Sequence, residues 1–154
     1  MTVRFASIDD KELAKCAPLH WREKSSQMRF EKDRRRELVS GGLVATMLDL
    51  VEPEIEVAEN GKPRIKGRPE LHFNLSHSGG LVMVVVAEDE VGCDIEEIRE
   101  LSPELKSAIG SLDRWVLREA AYKCYGREGL EKLASPYPAP LGYIAAICQK
   151  ASLK

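Results

Sequence analysis

Apolar and polar residues alternate over residues 2–8, the period of a half-buried strand. Residues 11–17 suit a short helix. Over 34–51, Leu38, Leu43, Met47, Leu48 and Val51 recur at helical spacing. Gly41-Gly42 weakens that helix by roughly 1 kcal/mol per glycine relative to Ala. Close approach of another backbone or of a ligand would explain the pair. Residues 54–59, Asn60-Gly61 and 62–65 read as a hairpin, because both residues of a two-residue Asn-Gly turn tolerate positive φ. Residues 72–76 place Phe73 and Leu75 on one strand face, and Ser78-Gly79-Gly80 turns the chain. Residues 81–87 are almost wholly apolar and strand-sized, which predicts a central strand buried on both sides. Residues 91–96 give the next strand. Ser102-Pro103 opens a helix predicted to reach Tyr125 and to stop at Gly126. The proline-rich stretch 135–140 reads as a stiff loop, and 143–148 as a last strand.

Composition bounds the class. At 154 residues, 44% hydrophobic and 31% charged, the chain makes one domain or two small halves sharing a core. Lys+Arg 23 against Asp+Glu 25 argues against a general nucleic-acid binder. No apolar run approaches the roughly 20 residues that span a bilayer. Asp9 and Asp10 precede any apolar stretch, so no signal peptide is expected. Cys16, Cys93, Cys124 and Cys148 form no CxxC pair, which argues against a zinc site or disulfide framework. The reading is a cytoplasmic protein with reduced thiols.

The small net charge hides a split. Lys62, Arg64, Lys66 and Arg68 form one basic cluster; Arg29, Lys32, Arg34, Arg35 and Arg36 form another. Residues 88–104 are strongly acidic. Such runs are either solvated faces or a site where cations meet phosphates while carboxylates hold a divalent metal. Asp94 and Glu96, two apart on a strand, share a face. They are a polar strand end or a cation site. Trp115, Glu119 and Lys123, spaced by four, share a helix stripe. They are a surface ion pair beside an ordinary aromatic, or the completion of that site. Asn74-Leu75-Ser76-His77-Ser78 is a polar turn or a set of phosphate donors.

Four motifs occur in order: Gly61-Lys62-Pro63, Phe73-Asn74-Leu75-Ser76-His77-Ser78, Val91-Gly92-Cys93-Asp94-Ile95-Glu96, and Trp115 to Lys123. Together they resemble the 4′-phosphopantetheinyl transferase superfamily, in its monomeric pseudo-dimeric, surfactin-synthetase-activating branch. The resemblance spans about residues 20–148. Arg118 stands where the family often has Lys.

The resemblance implies an α+β fold of two pseudo-symmetric halves, about 1–90 and a reduced 91–154. Each half is a small antiparallel sheet packed on a long helix, with coenzyme A between them. It implies transfer of phosphopantetheine from coenzyme A to a serine of an apo acyl, peptidyl or polyketide carrier protein, with Mg²⁺ or Mn²⁺. Asp94, Glu96 and Glu119 match the metal carboxylates, and Glu119 also matches the general base. Lys123 matches the phosphate-stabilising cation. Lys62, Ser76 and His77 match contacts to the coenzyme A phosphates, and Arg22, Lys24 and Arg36 more loosely those to the adenosine phosphates. A non-catalytic binding module and a metal-dependent phosphodiesterase are the alternatives.

Overall fold

The computed structural model describes residues 1–151. Its elements run β1 (Thr2–Ser7), α1 (Lys11–Lys15), α2 (Leu19–Ser26), α3 (Glu31–Leu48), β2 (Ile55–Val57), β3 (Pro63–Ile65), β4 (His72–Ser78), β5 (Leu81–Ala87), β6 (Val91–Glu97), α4 (Pro103–Ile109), α5 (Leu112–Tyr125), β7 (Ser135–Tyr137) and β8 (Tyr143–Gln149). The sheets are antiparallel and small: β1-β5-β4, the hairpin β2-β3, and β6-β8-β7. The architecture is therefore α+β, with small antiparallel sheets packed against helices. Among the described residues no helix is long and apolar enough to cross a membrane.

The apolar run at β5 is central in its sheet, and both of its faces are used. Val82 and Val84 pack with Val39, Leu43 and Val44 of α3 and with Trp21 of α2. Met83 and Val85 pack with Cys93 and Ile95 of β6 and Ala145 of β8. Side chains alternate across a strand, so one continuous apolar run serves two cores. A third cluster seats Val116, Ala120, Ala121 and Cys124 of α5 on Ala146 and Cys148 of β8.

Several expectations shift in detail. The expected helix at 34–51 begins earlier and ends sooner, with Asp49 left-handed at its C-cap. The expected continuous helix to Tyr125 is two helices, interrupted at Gly110, whose φ is 77°. Residues 58–62 form a longer loop than a two-residue turn: Val57 pairs with Pro63, and Gly61 N–H donates to Ala58 O. Residues 135–137 of the expected stiff loop form a strand that pairs with β8 alone. Pro136 is tolerated there because an edge strand has an unpaired side.

Two glycines permit close packing. A Cβ on Gly42 would lie 1.8 Å from the Leu13 carbonyl oxygen, so α3 meets another backbone there, one of the two expected reasons for the glycine pair. A Cβ on Gly92 would lie 2.1 Å from the Ala120 carbonyl oxygen and 2.6 Å from the Cys124 nitrogen. The obstacle is helix backbone, which cannot step aside, so β6 and α5 would separate. Gly92→Ala is expected to destabilise the protein by at least the ~1–3 kcal/mol of an overpacked core. Gly61→Ala meets open space at φ 80° and should cost about 1–2 kcal/mol for the left-handed backbone alone. Urea unfolding of both variants checks the order.

Candidate active site

β4 and β6 are edge strands of different sheets, and they meet through side chains. Asn74 Oδ1 accepts from Cys93 N–H (2.9 Å), Ser76 Oγ from Ile95 N–H (3.4 Å) and Ser78 Oγ from Glu97 N–H (3.0 Å). The spacing of two along both strands puts all three polar side chains on one face. The two hydroxyls also donate: Ser76 to Asp94 Oδ1 at 2.8 Å and Ser78 to Glu96 Oε2 at 3.0 Å. One set of side chains thus joins the sheets and aims two carboxylates.

Asp94 is buried. Its Oδ1 accepts from Lys123 Nζ at 2.7 Å. Its Oδ2 is buried without a hydrogen-bond partner among the described residues. Burial pushes the Asp94 carboxyl above its usual range, with Lys123 and Ser76 opposing. Glu119, one helical turn before Lys123 on α5, is also pushed up, first by burial and then by the Asp94 charge. Glu96 is turned toward Ser78 and Arg99, the latter at 3.1 Å. Among the described residues no three His, Cys, Asp or Glu side chains gather at metal-holding distance.

His77, next to Ser76 on β4, is exposed and points to the opposite face of the strand. Its neighbours desolvate the ring, and with Arg36, Lys123 and Lys24 they hold the imidazole below its ordinary pKa; Glu37 opposes them. Arg36 donates to Gly79 O at 2.8 Å and to Asp33 at 3.0 Å, and its Nε is buried without a hydrogen-bond partner among the described residues. Lys24 lies 3.1 Å from Glu37. The arrangement is a set of cations around an imidazole, on the face of β4 opposite the one whose Ser76 holds Asp94.

The structure therefore gathers Ser76, His77, Arg36, Lys24, Asp94, Glu119 and Lys123. Arg22 is engaged elsewhere, with Glu52 and with Ala17 O at 2.6 Å. Lys62 is buried and ion-paired with Glu90. Trp115 is half-buried, and the Arg118 guanidinium stacks 4.7 Å from its ring centroid, a role suited to the planar Arg. A cleft of about 60 Å³ opens beside Lys123, lined also by Asn74 and Tyr122. A larger one of about 390 Å³ lies past the end of β6, beside Arg99 and Ile98. The sequence offered Asn74 and Ser78 as a polar turn or phosphate donors, not as the side chains that join two sheets, although their alternation with Ser76 was visible. Glu90 and Glu37 carry no local signal, because their partners are distant in sequence.

No family model matches the chain. The chain is similar to the 4′-phosphopantetheinyl transferase psf-1 of Bacillus pumilus, 30% identical over 126 residues that cover 73% of this chain and 54% of that protein. It is similar to the 4′-phosphopantetheinyl transferase Sfp of Bacillus subtilis (strain 168), 33% identical over 90 residues, 54% of this chain and 40% of that protein. It is also similar to the 4′-phosphopantetheinyl transferase AcpT of Salmonella typhi, 41% identical over 71 residues, 44% of this chain and 37% of that protein. The chain spans about half the length of the curated relatives it matches, or less.

The cationic rim makes a pH prediction. His77 has a folded pKa below its unfolded one, so the unfolded state binds more protons between the two values. Stability contributed by this group therefore rises with pH through that window and is lost below it, and His77→Gln should flatten the slope. Inorganic pyrophosphate should move the His77 proton-NMR titration upward. An unmoved titration would show that these cations hold no anion.

Proposed function

We propose that this chain, which belongs to the 4′-phosphopantetheinyl transferase superfamily, transfers 4′-phosphopantetheine from coenzyme A to a serine of an apo acyl, peptidyl or polyketide carrier protein. The observation that supports it best is Asp94. One oxygen is shared between Ser76 and Lys123, the other is buried and open, and Glu119 stands close enough to feel its charge. A serine hydroxyl is a poor nucleophile at neutral pH, and its attack on phosphorus needs a base and cations on the spreading charge.

His77, Arg36 and Lys24 bind the phosphates of coenzyme A, and Ser76 holds Asp94 toward them. Coenzyme A sits between the halves 1–90 and 91–154. Glu119 takes the proton of the carrier serine onto its carboxylate. The serine oxygen bonds to the phosphorus of the phosphopantetheine, and the bond to adenosine 3′,5′-bisphosphate breaks. Lys123 neutralises the phosphate and gives a proton to the leaving oxygen. Asp94, Glu96 and Glu119 would supply hard oxygen donors, but among the described residues they are not drawn together as a metal site, and only the unpaired Asp94 Oδ2 stands ready for a small divalent cation. Mg²⁺ or Mn²⁺ held there would supply charge neutralisation on the pyrophosphate. The four free cysteines support a cytoplasmic setting for this activity.

The test is to incubate the chain with coenzyme A, Mg²⁺ and apo carriers from fatty-acid, polyketide and peptide pathways, then weigh each carrier. A gain of one phosphopantetheine supports the proposal. Binding without gain indicates a non-catalytic module, and bisphosphate release without carrier modification a phosphodiesterase. Asp94→Ala is expected to abolish transfer in a folded protein. Glu119→Gln should be the most damaging isosteric change, with a loss of at least the ~10²–10⁴ typical of a general base. Because burial and Asp94 raise the Glu119 pKa, the acidic limb of kcat/KM should lie above the ordinary Glu range. It should vanish in Glu119→Gln.

A further inference from the structure

Lys62 ends in a place where it has no free proton for a phosphate. Its side chain is 8% exposed and that of its partner Glu90 14%. The ammonium has three protons and three acceptors: Glu90 Oε1, Val91 O at 2.5 Å and Lys123 O at 3.3 Å. The Lys123 carbonyl lies in the last turn of α5, where carbonyls have no intrahelical partner and the helix dipole favours a cation. Lys62 therefore caps α5 from a distant hairpin.

Glu90 holds that cap in place. Its Oε2 takes Arg64 at 2.7 Å and faces His72 Nδ1 at 3.7 Å. Burial pushes its carboxyl up, but Lys62 and Arg64 outweigh burial and hold it below the usual range. Its backbone is fixed as well, since Glu90 O accepts from Lys150 N–H at 2.9 Å and from the Cys124 thiol at 3.4 Å. Lys123 is thus fixed twice, at its carbonyl by Lys62 and at its ammonium by Asp94 at 2.7 Å. A surface ion pair would add little, but a desolvated pair leaves a buried charge when one partner is removed.

We propose that Glu90, acting through Lys62, is a positioning residue: it sets the last turn of α5 and with it the place of the Lys123 ammonium on Asp94. The inference rests on the reading of Lys123 as the phosphate-facing cation. It departs from the family resemblance, which would have Lys62 touch coenzyme A.

The first arm of the test needs no activity. In the ¹⁵N-lysine-labelled 154-residue chain, the Lys123 ammonium should give a slowly exchanging resonance, assigned by its loss in Lys123→Ala. Glu90→Gln is expected to broaden or remove it. An unchanged resonance in folded Glu90→Gln overturns the proposal. Should Glu90→Gln fail to fold, Glu90→Asp keeps the charge and shortens the reach, and must show a smaller change in the same direction. The second arm is kinetic. Glu90→Gln should lower kcat about 10–10²-fold, the scale of a roughly 1 Å misplacement, with the KM for coenzyme A within about twofold. In a Lys123→Ala background the same change should cost less than about twofold, because groups acting through one another are not additive. Lys62→Arg should retain kcat where Lys62→Met does not. Full additivity, or a rise in KM confined to Lys62 variants, overturns the proposal and makes Lys62 a phosphate ligand. If the wild-type chain transfers nothing, the functional reading falls, and the resonance alone decides the positioning role.

Discussion

Two sheet edges joined through side chains are the constraint on which this structure depends. Strands usually satisfy their edge groups with a neighbouring backbone. Here Asn74, Ser76 and Ser78 of β4 take the N–H groups of Cys93, Ile95 and Glu97 of β6. Each such bond contributes only about 0.5–1.5 kcal/mol net, but a buried N–H left alone costs about 1–3 kcal/mol. Replacing any of the three with an apolar residue would open the seam. The apolar cluster of Met83, Val85, Cys93, Ile95 and Ala145 lies across the same junction and supplies its non-directional part.

The seam also orients the carboxylates of the candidate site. A side-chain hydroxyl, unlike a backbone carbonyl, both accepts and donates. Ser76 accepts from Ile95 and donates to Asp94; Ser78 accepts from Glu97 and donates to Glu96. The carboxylates are thereby oriented by the bonds that unite the two sheets. Burial raises the Asp94 pKa, which is a cost to folding at neutral pH, offset in part by Lys123 and Ser76. That balance leaves Asp94 Oδ2 buried and open. It is a strained electrostatic state of the kind that active sites hold.

What the sequence discloses follows the range of the interactions involved. β5 was legible because its apolar run is a local pattern, and so were Asp94 with Glu96 and Glu119 with Lys123, whose spacings fix shared faces. α2 escaped notice. Its sequence Leu19-His20-Trp21-Arg22-Glu23-Lys24 has little apolar periodicity, and it is held by the buried Trp21 against Phe73 and α3 and by Ser25, which donates to Arg34 O. The break at Gly110 and the short strand β7 depend on tertiary context: a left-handed turn lets α5 start anew, and β8 offers an edge. The glycine pair of α3 announced a close approach, but not that Leu13 and Trp21 would be the neighbours.

The charge split shows most clearly why position along the chain does not decide role. The two basic clusters look alike in sequence, yet they meet different fates. In the hairpin and its continuation, Lys62 and Arg64 pair with Glu90, Lys66 with Glu54 and Arg68 with Glu70. Of these pairs only the one between Lys62 and Glu90 is buried; those of Lys66 and Arg68 stay on the surface. On α3, Arg36 binds Asp33 and Gly79 O but keeps a buried Nε open, and its charge reaches His77 together with those of Lys24 and Lys123. The cations that act on His77 therefore come from α2 and α3 on one side and α5 on the other. No single helix assembles them. Their charges meet at His77 because β4, which carries it, is joined edge to edge with β6, on which α5 and Lys123 pack.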